Sequence, residues 1–507
     1  MRARLEKVSF LVAAFALCAA AGCASGGGSG DPGQGGSSGG AAAGATGSAG
    51  AAGGGAGSSG GTTPAGGTTG TGGSVISTGG AGPGAGGSGG TMGAAGAGTG
   101  GSAGGQATAG TTGTGATGGG GTGGAAGTTG GRGGASGGGA SGTGGSIMGC
   151  RPAPTAYRNL FTEVLGKSAT EVDAKMNAAF QQLFHGSSSD QPIYYEFMTD
   201  EAYLLDVVHN DIRSEGVSYG MMIAVQLDKK TEFDRLWRFA VKRMRQSSGF
   251  FAWQLNPQGG VISTGSAPDG EEYFATALMF ASKRWGDGTG DLAYGAQART
   301  LLDKVANNGM FDRNAKLVLF GVNAGYTDPS YMLPAFYEAW ACFDSKNRSF
   351  WGSAATAARA FFPKTVNATT GLAPDQAQLS GAPYSGHPDF DADAWRVVQN
   401  IMMDHHFFGL DSWQVTWAAK HAAFWKSQGA NYGEQYTLAG MVEDPDHQSG
   451  LVAMNATLGF ALPAADATPF LQELWNTPIP SGTQRYYNGA LYMLALLHVT
   501  GQFHLWY

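Results

Sequence analysis

Ala267-Pro268-Asp269-Gly270-Glu271-Glu272-Tyr273-Phe274-Ala275 opens a run in which Phe274, Ala277, Leu278, Ala281 and Trp285 recur at helical spacing. The run predicts a helix that buries one stripe and holds Asp269 at its amino-terminal mouth, where a fixed acid can act on a substrate. Outward from it the same periodicity recurs over 168–183, 218–228, 231–244, 273–285, 292–305, 332–343, 350–360, 394–407, 411–428, 450–461 and 488–499. Short breaks such as Asn307-Asn308-Gly309, Asp328-Pro329-Ser330 and Ser481-Gly482 separate these segments. Strand patterns are scarce and short. The expectation is an all-α domain of about a dozen helices, too many for a simple bundle and without a fixed repeat, for which a toroid of helical hairpins is one closed arrangement.

The chain has 507 residues and 89 glycines, most of them ahead of Cys150. Between residues 24 and 149 only Asp31 and Arg132 are charged and no residue is aromatic. Such a composition cannot bury enough apolar surface to offset chain entropy, so 24–149 reads as a disordered linker. As a Gly/Ser-rich coil it would span roughly 60 Å end to end. Upstream, Arg2, Arg4 and Lys7 precede the apolar run 8–21, which has the length and flanks of an export signal rather than of a membrane span. Ala20-Ala21-Gly22-Cys23 resembles the cleavage box of bacterial lipoproteins, with Ala20 where Leu or Val is usual. Residues 1–23 are therefore read as a lipoprotein-like signal, with lipid at Cys23 as the route to a membrane and an exported location, periplasmic or on the cell surface; ordinary cleavage and secretion is the alternative.

The folded part, 150–507, is long enough for one large core or two modest ones. It keeps two cysteines, Cys150 and Cys342, which can pair outside the cytoplasm if the fold brings them together. Two cysteines this far apart make neither a zinc knuckle nor a redox pair. The formal net charge is −7 and no Lys/Arg cluster interleaves with aromatics, which argues against nucleic acid and for a neutral polymer as partner.

Three acidic places stand out. Glu215 opens a helix within Asp211-Ile212-Arg213-Ser214-Glu215-Gly216-Val217-Ser218-Tyr219-Gly220-Met221-Met222; Asp269 is the second; Asp389-Phe390-Asp391-Ala392-Asp393-Ala394-Trp395-Arg396 opens a third helix. Singly, each has a bland reading, since acids in a first turn favour the helix dipole and Asp269 with Glu272 looks like a capping box. Together, beside Tyr and Trp, they suit a polar-tipped apolar cleft for a sugar ring. A calcium loop is a poor fit to 389–400, because Ala394 stands where Gly is needed and Asn400 where a bidentate Glu is needed. Asp404-His405-His406 lacks metal-ligand spacing, no Gly-x-Ser-x-Gly elbow exists, and the glycine-rich tract has no P-loop lysine. No cofactor is expected.

At these residues the chain resembles glycoside hydrolase family 8. Ala267 to Glu271, followed by Ala275, Ala277-Leu278, Ala281 and Trp285, fits the family's signature spacing, and Ser214-Glu215-Gly216 fits its general-acid motif. The resemblance covers nearly all of 157–507. Pro268 and Glu271 differ from the endoglucanase members; with Ile193-Tyr194-Tyr195-Glu196, Trp475-Asn476-Thr477-Pro478 and Arg485-Tyr486-Tyr487 they are similar to the branch of reducing-end xylose-releasing exo-oligoxylanases. The resemblance implies an (α/α)6 barrel and inverting hydrolysis of β-1,4 links in xylan or xylo-oligosaccharides, with xylose released from the reducing end. Endo-β-1,4-glucanase or chitosanase action is the alternative within the family. By motif, Glu215 would be the general acid and Asp393 the general base, with Arg396 fixing its register and Asp391 as the rival base. Asp269 would hold and distort the sugar, and Trp253 and Tyr331 match ring-stacking or sugar-bonding positions. His447 sits near where the exo-acting branch has a loop blocking the reducing-end side; Gln448-Ser449 departs from that branch's His-Pro pairing, so endo action stays open.

Inversion needs a protonated acid and an ionised base on opposite sugar faces. The helix terminus at Glu215 favours its carboxylate, so burial and the like charge of Asp269 have to outweigh the dipole, while Arg396 keeps Asp393 ionised. Two readings of other classes stand beside this one: a non-catalytic sugar-binding surface lipoprotein, and an inert helical scaffold on a tether.

Overall fold

The computed structural model describes residues 150–507; the signal and linker expected over 1–149 lie outside the described residues. After the short α1 (Leu160–Leu165), the helices are α2 (Ala169–His185), α3 (Ser214–Gln226), α4 (Lys230–Phe239), α5 (Pro268–Trp285), α6 (Tyr294–Asn307) and α7 (Pro334–Phe343). There follow α8 (Arg348–Thr365), α9 (Trp395–Phe408), α10 (Trp413–Gln428), α11 (Ser449–Ala456), α12 (Ala464–Asn476) and α13 (Arg485–Val499). Two chemistries of helix alternate. α3, α5, α7, α9, α11 and α13 are buried on nearly every side and are rich in apolar and aromatic residues, as a helix surrounded by protein must be, with α9 also burying Arg396, Gln399, Asn400 and Asp404. The others are amphipathic: α2 buries Val172, Met176, Ala179, Phe180, Leu183 and Phe184 on one stripe and exposes the rest.

The buried helices pack in the cyclic order α3, α5, α7, α9, α11, α13 and back to α3. Each also packs on one amphipathic partner: α3 on α4, α5 on α6, α7 on α8, α9 on α10, α11 on α12, α13 on α2. Six inner and six outer helices in a closed double ring make an (α/α)6 barrel. The segment 464–476, not among the helices expected from periodicity, is the outer helix α12; Pro469 is carried inside it.

Connections from an inner to an outer helix are short, as at 227–229 and 344–347, whereas those from an outer to the next inner helix are long, as at 186–213 and 366–394, apart from 477–484 between α12 and α13. The long ones therefore collect at the amino-terminal end of the inner ring. They carry the small sheets: β1 (Tyr194–Phe197), β2 (Glu201–Asp206), β3 (Asp211–Arg213), β4 (Gln254–Leu255) and β5 (Val261–Ser263) form one antiparallel sheet in chain order. β6 (Tyr326–Thr327) pairs with β7 (Ala377–Gln378), and β8 (Gln435–Tyr436) with β9 (Val442–Asp444).

Cys150 and Cys342 are joined, with Cα atoms 4.6 Å apart, so the start of the described chain is tied to the end of α7. Beside them Arg359 grips Asp404 through Nε and Nη2 at 2.8 and 2.6 Å and reaches Glu338 at 2.6 Å, linking α7, α8 and α9 through buried charges that satisfy one another. Among the described residues no helix is long and apolar enough to cross a membrane.

Candidate active site

The acidic residues singled out in sequence meet where the inner helices begin. Glu215 is the second residue of α3, Asp269 of α5, Arg396 of α9 and Tyr486 of α13. Asp393 lies in the turn just before α9. Arg396 joins them. Its Nη1 lies 2.8 Å from Asp269 Oδ2, 3.5 Å from Glu215 Oε2 and 2.8 Å from the Tyr219 hydroxyl, and its Nη2 donates to Asp393 Oδ1 at 2.7 Å. One guanidinium thus spans Glu215 and Asp393, so their nearest oxygens lie within roughly 8.5 Å, an upper bound that overlaps the lower part of the ~6.5–9.5 Å an inverting pair leaves for water.

Small residues permit this convergence. A Cβ on Gly216 would fall 2.5 Å from the Tyr486 hydroxyl, and one on Gly270 would fall 2.6 Å from Ser214 Oγ. With hydrogen there instead, neighbouring inner helices close up and Tyr486 reaches Glu215 Oε1 at 3.0 Å. The capping box expected of Asp269 and Glu272 does not form: the cap position is Ala267, Asp269 accepts from Gly270 N, and Glu272 accepts from the Tyr337 hydroxyl at 2.7 Å. Asp269 faces Arg396 because the helix starts one residue ahead of it, which leaves its side chain free for the guanidinium.

Burial governs the protonation states. It pushes Glu215 up to about 7, against the pull of Arg396 and with the help of Asp269 and Asp393. Asp269 is also raised by burial, with Arg396 opposing. Two acids not singled out in the sequence share the site. Asp328 is wholly buried; its Oδ1 accepts from Ser330 N at 2.7 Å and its Oδ2, without a hydrogen bond, stands 3.7 Å from Arg396 Nη2. Asp375 accepts from the backbone of the Asp393 turn. Both are held well above the usual carboxylate range, first by burial and then by the carboxylates around them. Neither sits in a helical motif, so periodicity carried no signal for them; for Asp328 the nearest clue was its place in the segment that supplies Tyr331.

Tyr331 lies under the Arg396 guanidinium, 5.6 Å from it, and packs against Phe320. Trp253 borders the same end, its carbonyl accepting from Ser214 N at 3.0 Å and Arg213 lying 5.9 Å over its ring. Asp391 accepts from Gln435 Nε2 at 2.6 Å and from Ala392 N. His447 stands outside the fork: its Nδ1 faces the Tyr432 carbonyl at 2.9 Å and its Nε2 faces Glu473 at 3.2 Å, a carboxylate that raises its pKa. Both ring nitrogens therefore meet acceptors, an arrangement suited to the imidazolium.

An acid poised near neutrality, a second carboxyl on the same guanidinium and a wall of tyrosines can protonate a leaving oxygen and activate water. The profile of glycosyl hydrolases family 8 matches residues 194–501. The chain is 39% identical over 369 residues to the reducing-end xylose-releasing exo-oligoxylanase of Paenibacillus barcinonensis, covering 69% of this chain and 97% of that protein. It is 40% identical over 371 residues to the reducing end xylose-releasing exo-oligoxylanase of Halalkalibacterium halodurans, covering 69% and 95%. Among solved structures, a xylobiose complex from Teredinibacter turnerae superposes with a TM-score of 0.67 at 39% identity, over 69% of this chain and 98% of that one.

Proposed function

The chain belongs to glycosyl hydrolase family 8, and on that premise we propose that it hydrolyses β-1,4-linked xylo-oligosaccharides with inversion, releasing xylose from the reducing end. The observation that carries the reading is Arg396, which holds Asp393 and Asp269 while bordering a Glu215 whose pKa is about 7. In this reading Glu215 is the general acid. Near neutral pH a substantial fraction carries the proton that the leaving oxygen needs, as the carboxylic acid of an inverting pair requires.

Asp393 is the general base in the same scheme. One of its oxygens is engaged by Arg396 and its side chain is 23% exposed, which leaves room for a water on the far face of the sugar. As the glycosidic bond breaks, the Glu215 proton goes to the departing sugar and a water proton goes to Asp393. One proton returned from Asp393 to Glu215 through solvent restores the starting state. Asp269, fixed between Gly270 N and Arg396, has the position to hold a hydroxyl of the distorted ring, and Trp253 and Tyr331 supply apolar faces beside it. Both relatives named above carry the exo-oligoxylanase name, which favours xylose release over internal cleavage.

Product analysis on xylotriose, xylan, carboxymethyl cellulose and chitosan tests this, with the anomer of the first product read by NMR. Xylose and xylobiose from xylotriose are expected, with the inverted configuration at the newly formed reducing end of the xylobiose; random shortening of carboxymethyl cellulose would give the site to an endoglucanase. We propose further that the protein is exported and anchored by lipid at Cys23, with residues 24–149 as its tether. Cys23→Ser should then move the protein from the membrane to the soluble fraction, and an unchanged distribution would remove the anchor.

A further inference from the structure

We propose that Asp375 is a positioning residue for the general base, its carboxyl oxygen fixing the turn that carries Asp393. The inference rests on the assignment of Asp393 above. Asp375 is 6% exposed and lies in the connection between α8 and α9, 18 residues before Asp393. Its Oδ1 accepts from Asp391 N at 3.2 Å and from Ala394 N at 2.9 Å, two amides that bracket the base. Its own N–H donates to Asp389 O at 2.9 Å, so the acid and the turn are bound in both directions.

Helix α9 needs such help. Its cap residue is Ala394, which has no side chain able to satisfy the first free amides, and no side-chain cap bond forms locally. Asp375 provides from another segment what Ser or Asp provides at an ordinary cap. The amides it holds set the Cα of Asp393, and from there the carboxylate meets Arg396 Nη2 at 2.7 Å. The Tyr487 hydroxyl secures the same turn through Ala392 O at 2.9 Å. Burial and then the neighbouring carboxylates raise the Asp375 pKa well above the usual carboxylate range. Asn is nearly the shape of Asp and retains the accepting oxygen.

The experiment compares Asp375→Asn, Asp375→Ala and Asp393→Asn in the full chain, with folding followed by circular dichroism. Asp375→Asn should keep kcat within about 5-fold, whereas Asp375→Ala should lower it ~10²-fold with KM within about 3-fold, the signature of a displaced catalytic group. The acidic limb of the pH–kcat profile should hold its place in the Asn variant and shift in the Ala variant, which a general loss of stability would not produce. A folded Ala variant with wild-type kcat, or an Asn variant as impaired as Ala, overturns the role. If the Ala variant does not fold, a folded Asn variant down by more than about 30-fold overturns it, and one within about 5-fold upholds it. Full activity in Asp393→Asn would remove the base assignment itself; an inactive Asp393→Asn beside an active Asp375→Ala removes Asp375 alone.

Discussion

The Tyr486 hydroxyl meets Glu215 Oε1 at 3.0 Å through the space left by Gly216, so the acid of one inner helix is held by the first turn of the next. A methyl group at Gly216 would lie 2.5 Å from that hydroxyl and has to push the ring aside. Gly216→Ala should therefore lower kcat/KM by ~10–100-fold in a folded protein, the size of effect a displacement of about 1 Å produces. Steady-state kinetics on xylotriose check it, and an unimpaired variant would show that Glu215 does not depend on this contact.

With Glu215 as the proposed general acid, its pKa, raised to about 7 by burial, should set an alkaline limit on activity. The acid form is the working form, so kcat/KM should fall tenfold per pH unit above about 7. The same group costs stability there. Its folded pKa is raised above the unfolded value, so its favourable contribution is full below about 4.5 and is lost as pH rises through about 7. Glu215→Gln should be inactive yet more stable than wild type at pH 8 by up to ~3 kcal/mol, with the difference gone near pH 4. Urea titrations at the two pH values measure this.

Asp393 and Asp391 are neighbours in sequence with different partners, one on Arg396 and the other on Gln435. Asp393→Asn should cost at least ~10³-fold in kcat while xylotriose binding by calorimetry stays within about 3-fold. Asp391→Asn should retain most of the rate. The reverse outcome would hand the base role to Asp391.

The Cys150–Cys342 bond closes a separation of 192 residues. By chain entropy it stabilises the fold by about 5 kcal/mol, so Cys342→Ser should lower the unfolding free energy by an amount of that order without changing kcat. Denaturation with and without reductant checks the value against the variant.

Helical periodicity made most of the barrel legible, because an inner helix buried on all sides still shows its stripe of Phe, Leu and Trp, as at 273–285, and the outer ones expose their polar faces. Glu215, Asp269 and Asp393 were legible because acids at helix starts followed by Gly or Ala form compact motifs. α12 was hidden by its prolines, and the sheets by strands of two to six residues. Asp375 left no local signature and Asp328 only its place just ahead of Tyr331: what brings each to the site is packing against residues distant in sequence, and a carboxyl buried by tertiary packing looks in sequence like any loop acid.

The unequal lengths of the two kinds of helix connection divide the molecule into a frame and a tool. Since every extended crossover emerges at one rim, insertions or exchanges there can recut which sugars enter and from which end, while the tight returns opposite keep the twelve-helix framework unaltered. The barrel is thus suited to acquire new specificities by rim grafting, with the Arg396 fork left in place beneath.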